Sequence, residues 1–255
     1  VSLVIPTLNE RENLAPLVEE IANAMHGVAR YEIVFVDDGS TDGSAEELQR
    51  LMADEPRIRC VRHDRRCGKS AALLTGVTAA RAPVVATLDA DRQNDPHDLP
   101  AMLAAYRGAP AGVTVGCVAG QRVRRRDTLL KRLSSRTANA VRRRLLRDGT
   151  RDTGCGFKLF PRATFLAMPQ FEGMHRFLPA LAKRLGQEVR LVDVQDRPRA
   201  AGTTKYGLWN RLWVGIGDML AVWWMIRRYR QPGRVEEIGP AAGAAAPEGG
   251  RSAAP

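Results

Sequence analysis

The chain has 255 residues, 44% of them hydrophobic and 26% charged, and a formal net charge of +11. That length suits one α/β domain with a sizeable core and a C-terminal appendage. The four cysteines (Cys60, Cys67, Cys117, Cys155) are scattered without CxxC spacing, which argues against a disulfide framework or zinc site and for reduced thiols in a cytosolic compartment.

No signal peptide precedes the first apolar run, and with Val1 in place of an initiator Met a few N-terminal residues are expected to be missing. Val1 to Thr7 reads as a strand that stops at Pro6; Asn9 and Glu10 follow, then a helical pattern at Leu14, Leu17, Val18 and Ile21. A second strand, Tyr31 to Val36, ends in Asp37-Asp38-Gly39-Ser40-Thr41-Asp42. Acids placed after a strand can accept hydrogen bonds from a ribose or a base. Gly39 and Ser40 permit a tight turn, and Ser44 or Asp42 can cap the next helix. A third strand runs from Ile58 to Val61. The fourth, Val84 to Leu88, is short, β-branched and apolar, as a buried parallel strand should be. It ends in Asp89-Ala90-Asp91. Two acids one residue apart form a hard-oxygen site for Mg²⁺ or Mn²⁺ held against a phosphate. Alone, such a pair is more often a polar loop. Here three acid-bearing strand ends in one half-domain open toward a single crevice, the edge where open α/β sheets bind ligands.

Between Arg122 and Arg151 basic residues are dense, opposed only by Asp127 and Asp148, and Leu129, Leu130, Leu133, Val141, Leu145 and Leu146 give the stretch an apolar side. A basic amphipathic helix of this kind suits a membrane surface or a polyanion, the alternative being a solvated helix face. Nucleic acid is disfavoured because no aromatic residues interleave the arginines. Leu208 to Ile226 holds all four tryptophans. Arg211 and Asp218 interrupt it, and Arg227, Arg228 and Arg230 follow, so it falls short of the ~20 clean apolar residues of a span and reads as a helix in the headgroup zone, or else a core helix or dimer contact. From Gln231 the composition turns to Pro, Gly and Ala, as in a disordered tail. Gly68-Lys69-Ser70 is not a P-loop, since the first glycine of that motif would fall at His63. There is no GxGxxG after the first strand, and the histidines show no metal-ligand spacing, although His175 could sit near the site.

The segments VIPTLNERENL, VDDGSTD, GKSAALLTG and LDADRQNDP, then Gly120 to Arg122, DTGCGFKLFPR from Asp152 and RAAGTTKYG from Arg199, resemble the family-2 inverting glycosyltransferases, and within them the dolichol- or polyprenyl-phosphate hexose synthases. The resemblance covers roughly residues 1 to 230. It implies an α/β GT-A fold, a mostly parallel nucleotide-binding sheet flanked by helices, with C-terminal amphipathic interfacial helices. Residues 1–200 would form the catalytic domain, 201–230 an acceptor loop and membrane-surface helices, and 231–255 the tail.

The implied reaction moves one hexose, with inversion, from a nucleotide diphosphate sugar to a polyprenyl or dolichyl phosphate on the cytoplasmic face of the membrane. GDP-mannose is the favoured donor, with UDP-glucose and UDP-uronic or amino sugars as alternatives. A hydroxyl acceptor and a non-catalytic nucleotide-binding protein are the competing expectations, and homo-oligomerisation is left open. Pro6, Leu8, Glu10, Val36, Asp37, Asp38 and Lys69 would face the nucleotide sugar. Asp91, Asp89 and Gln93 would hold the Mg²⁺ or Mn²⁺, which offsets charge on the departing diphosphate. Arg199 and Lys205 would close over the diphosphate; Arg122, Lys131, Arg132 and Ser135 would hold the acceptor phosphate. Asp152 would orient an acceptor-side arginine or a sugar hydroxyl, or cap a turn. Since a phosphate monoester has a second pKa near ~6, its oxygen is already anionic and a general base is optional. Three departures stand out: Thr203-Thr204-Lys205 where a serine is common before the lysine, Leu8 where an aromatic is frequent, which leaves the base open, and Arg92 where an apolar residue is usual.

Overall fold

The computed structural model describes residues 1–123, 144–198 and 208–230, and of residues 208–214 the backbone alone. The first half alternates as expected: β1 (Ser2–Thr7), α1 (Arg11–Met25), β2 (Glu32–Asp37), α2 (Ser44–Asp54), β3 (Ile58–Arg62), α3 (Lys69–Ala79) and β4 (Val84–Thr87). The second half is less regular: α4 (Leu99–Arg107), β5 (Val115–Arg122), β6 (Lys158–Pro161), α5 (Arg162–Leu166), α6 (Leu178–Arg184), β7 (Glu188–Val194) and α7 (Leu208–Arg228). The sheet runs β3-β2-β1-β4-β6-β5-β7. Every pairing is parallel except the two made by β6, which is inserted in reverse between β4 and β5.

The apolar runs of β1, β2 and β4 are nearly continuous because both faces of the sheet are covered. On one face Leu3, Ile5, Phe35 and Leu159 pack with Leu14, Leu17 and Ile21 of α1 and Met102 of α4. On the other, Val4, Val34 and Phe160 pack with Leu73 and Val77 of α3, Leu181 of α6 and Val222 of α7. Each such side chain contributes roughly 1.5–3 kcal/mol on leaving water. A Cβ on Gly76 would lie 2.4 Å from Val4 Cγ1, so the glycine lets α3 settle on the sheet and brings its N-terminus toward the end of β4.

Several strand boundaries differ from expectation by a residue: β2 runs Glu32–Asp37 rather than Tyr31 to Val36, and β3 reaches Arg62. β1 continues through Pro6, paired with Val36, to Thr7, paired with Asp37. Its ladder with β4 ends at Val4, so beyond that point it is paired on one side only and the missing proline N–H is tolerated. β4 stops at Thr87, one residue before the expected Leu88.

Helix α7 fills one of the roles foreseen for it and keeps an exposed apolar side. Val222 is fully buried and Met219, Trp223, Met225 and Ile226 pack on the second core, as in a core helix. Leu220 and Trp224 stand 51% and 57% exposed on its other side. No helix among the described residues is long and apolar enough to cross a membrane. The expectations for Lys131, Arg132, Ser135, Arg199, Lys205 and the tail lie outside the described residues.

Candidate active site

The sheet geometry lines up the C-terminal ends of β1, β2, β4, β5 and β7 along one edge, and the reversal of β6 brings its N-terminal end there too. The acids expected at the nucleotide begin this edge. Asp37 is fully buried. Its Oδ1 accepts the Ser40 N–H (2.9 Å), and its Oδ2 lies 3.1 Å from Arg62 Nε, close enough for an ion pair but not aligned as a hydrogen bond. Gly39 (φ +79°) must be glycine, since a Cβ there would meet the Arg65 backbone at 2.9 Å. Asn9, itself left-handed, staples the β1 and β2 ends together: its N–H donates to Ser40 Oγ (2.9 Å) and its Oδ1 accepts the Thr41 N–H (2.8 Å). Glu10 accepts from Asn13 Nδ2 (2.6 Å). Asp42 serves both neighbouring helices, its Oδ1 accepting the Ser44 N–H and its Oδ2 the Arg11 N–H, while Gly43 (φ +88°) takes the N-cap position expected for Ser44 or Asp42.

Asp38 has a different environment from the one expected. Its Oδ1 accepts the Cys67 N–H (2.8 Å) and lies 2.8 Å from His63 Nδ1, and its Oδ2 accepts the Gly68 N–H (2.8 Å). His63 Nε2 lies 2.9 Å from Thr75 Oγ1. The carboxylate thus clasps the loop before α3. Asp38, His63 and Cys67 bring ligand-type atoms within 4.8 Å of one another, a proximity that the sequence spacing of the histidines did not reveal. The Asp38 oxygens and both His63 nitrogens are already engaged by the protein, so the trio reads as a structural clasp.

The two acids after β4 diverge. Asp89 is half-buried and paired with Lys69 Nζ, the first residue of α3. Burial pushes its carboxyl up, but Lys69, with His175 and Lys158 behind it, outweighs this and holds it below the usual carboxylate range. Gly156 makes room for it: a Cβ there would sit 2.5 Å from Asp89 Oδ2. Asp91 is buried, and one of its oxygens accepts the Gln93 N–H (3.2 Å). Between them in the turn, Arg92 (φ +60°) pairs with Glu20 of α1, which also holds Arg197 (2.8 Å); Arg197 in turn reaches Asp95 (2.6 Å). The departure at Arg92 is therefore a tie between the acidic turn and α1. Asp91 and Gln93 offer oxygen donors only, the set that a hard divalent cation takes. Asp89 is bound to the Lys69 ammonium, and Asp91 stands two residues before Gln93 on the same turn.

Arg122, at the end of β5, is clamped by Asp152 through two bonds, Nε to Oδ2 (2.5 Å) and Nη2 to Oδ1 (3.1 Å), with Asp196 3.6 Å from Nη1. Burial works against its charge, but the two aspartates raise its pKa above the ordinary arginine value. Asp152 also accepts the Gly154 N–H (3.1 Å), so the same carboxylate holds an arginine and caps a turn. Behind the edge, His175 Nδ1 lies 2.8 Å from Ser70 Oγ, which accepts the Gly173 N–H (3.0 Å). Burial, then the cations Lys69, Lys158 and Arg176, hold its pKa well below the usual value. All four cysteines are free, and burial pushes the Cys117 thiol up to about 12.

A mostly parallel, doubly covered sheet whose strand ends carry these acids and a clamped arginine has the architecture of a GT-A glycosyltransferase. Residues 2–166 match the model of glycosyl transferase family 2, and the chain belongs to that family. It is 34% identical over 238 residues to the dodecaprenyl-phosphate galacturonate synthase of Rhizobium johnstonii, covering 91% of this chain and 69% of that protein. It is 36% identical over 208 residues to the undecaprenyl-phosphate 4-deoxy-4-formamido-L-arabinose transferase of Pectobacterium carotovorum, covering 81% of this chain and 62% of that one. Glucosyl-3-phosphoglycerate synthase of Mycobacterium tuberculosis, solved with Mn²⁺, UDP and glucosyl-3-phosphoglycerate, shares the fold at a TM-score of 0.65 and 20% identity, over 88% of this chain and 78% of that one.

Proposed function

We propose that the chain transfers one sugar, with inversion, from a UDP-linked uronic or amino sugar to a polyprenyl phosphate, using Mg²⁺ or Mn²⁺ and working peripherally at the cytoplasmic membrane face. The observation that carries this is the pairing, on one strand edge, of an oxygen-donor turn (Asp91, Gln93) with a cation clamped for a second anion (Arg122 on Asp152). GDP-mannose was the favoured donor from the motifs. The relatives' names, galacturonate and formamido-arabinose, favour the UDP-sugar alternative. The neighbours solved with UDP support the same base.

In this proposal residues 1–200 are the catalytic domain and residues 201–230 the acceptor loop and membrane-surface helix. Asp91 and Gln93 would hold the divalent ion, which supplies charge neutralisation on the leaving diphosphate. Pro6, Leu8, Glu10 and Val36 would border the nucleoside, with Asp37 and Asp38 shaping the loops around it. Lys69 keeps Asp89 ionised and fixed. Arg122, held rigid by Asp152, would bind the acceptor phosphate, joined by Lys131, Arg132 and Ser135, with Arg199 and Lys205 on the diphosphate. The Asp152 carboxylate is committed to Arg122 and Gly154, which suits an acceptor that needs no general base. Catalysis then consists of aligning two anions whose repulsion fixed cations offset.

The test is transfer of labelled sugar from UDP- and GDP-sugars into butanol-extractable lipid, with undecaprenyl phosphate and Mn²⁺ or Mg²⁺. Lipid label from a UDP-uronic or UDP-amino sugar, lost in Asp91→Asn, is the expected result. Label from GDP-mannose alone would overturn the donor, and no label with nucleotide still bound would overturn the lipid acceptor.

A further inference from the structure

A groove of about 880 Å³ runs between α6, α7 and residues 144–147. It shares no lining residue with the strand-end crevice. Five cations line it: Arg144, Arg147, Lys183, Arg184 and Arg227. No acid is among its lining residues, and among the described residues none of the five forms an ion pair. Three of them are held instead by neutral groups. Lys183 Nζ donates to the Arg147 carbonyl (3.1 Å), Arg184 Nε to the Met225 carbonyl (3.3 Å), and the Arg184 and Arg227 guanidinia lie over the Tyr229 and Trp223 rings at 4.0 and 4.5 Å. Such contacts fix a cation without neutralising it, so the groove concentrates positive potential.

Its wall is apolar, built by Leu146, Ala180, Trp223 and Ile226. One helical step round α7 from Trp223 and Arg227 lies the exposed face of Leu220 and Trp224, with Arg228 beside it. A bare phosphate would use the cations and leave the apolar wall and this face idle. A ligand with an anionic head and an apolar body uses both, and tryptophan flanked by arginine suits the zone where such heads and bodies meet.

We propose that this groove takes the phosphate headgroup of an anionic bilayer phospholipid, with the acyl region lying along Leu220 and Trp224. The chain would thus dock on membranes through a groove that shares no lining residue with the strand-end crevice. The inference rests on the lipid-acceptor reading only for the presence of a membrane, and vesicles without sugar donor or polyprenyl phosphate separate the two.

The experiment is flotation of the full chain with phosphatidylcholine vesicles, with and without phosphatidylglycerol. Tighter binding to the anionic vesicles is expected. It should weaken about five-fold per cation removed, so about 25-fold in Lys183→Gln/Arg227→Gln. Arg144→Gln, an exposed position, should show the single-cation loss should the double variant melt early. Trp224→Ala should weaken binding to both vesicle types. Arg30→Gln/Arg107→Gln removes the same net charge on the opposite face of the sheet, and its binding should stay within about two-fold of the parent. Equal binding to neutral and anionic vesicles, or equal losses in the groove and control pairs, would overturn the proposal.

Discussion

The strand-end crevice and the α6–α7 groove are both rich in charge, and they treat it in opposite ways. In the crevice cations and acids are matched: Lys69 with Asp89, Arg62 with Asp37, Arg122 with Asp152 and Asp196, Arg92 and Arg197 sharing Glu20. Around the groove five cations have no acid for company, and three of them, Lys183, Arg184 and Arg227, rest on carbonyls or rings. A buried charge must be paired to be kept at all, and pairing fixes its direction, which is what a site for chemistry needs. A charge at the surface can stay uncompensated, and its field then reaches out to a partner rather than being spent internally.

That contrast predicts a graded set of losses. The largest should come from Asp91→Asn, which removes a charged oxygen donor from the turn: transfer is expected to fall about 10²–10³-fold with the melting curve preserved. A loss under tenfold would mean that the crevice is not where the reaction occurs. Asp152→Asn should come next. It leaves Arg122 charged but poorly aimed, and steady-state kinetics with varied acceptor should show roughly a hundredfold drop in kcat/KM for that substrate and a much smaller change in donor KM. His175→Gln tests the buried ring behind the edge. Because the folded-state pKa of His175 lies well below the ordinary 6.5, the unfolded chain binds a proton that the folded chain refuses between those two values. Stability of the parent should therefore fall as pH drops below 6.5, and urea midpoints followed from about pH 7.5 to 5 should show a shallower decline in the variant. Identical slopes would remove His175 from the account. Smallest of all, Arg50→Ala breaks an exposed pair with Glu47 on α2, and its thermal midpoint should be indistinguishable from the parent's.

Much of the first half of the sheet was readable in the sequence because β1, β2 and β4 are apolar, β-branched runs that end abruptly in acids, and a buried parallel strand has few other ways to be written. The Arg122–Asp152 relation was visible as one of three expectations, since both residues fall in recognisable motifs. Other features depend on contacts that linear spacing does not carry. Lys69 was placed at the nucleotide, and only the seating of α3 on Gly76 brings it onto Asp89. His63 showed no partner in the sequence, because Asp38 lies on a different strand end. β6 is four residues long, too short for a periodic signature, so its reversal was not legible. The groove draws on three separate segments, each unremarkable by itself, and its charge is apparent only when they meet.

The reversed strand also bears on how the protein is made. During synthesis β1, β2 and β3 can pair as they emerge, and β4 can join them through β1. The other side of β4 is reserved for β6, and β5 too has β6 and β7 as its neighbours. From Thr87 until Lys158 leaves the ribosome, the nascent half-sheet therefore carries the bare apolar edge Val84-Val85-Ala86, the kind of edge that recruits strands from other chains. The interval between those two residues is where a pause or truncation should commit the chain to aggregation rather than folding.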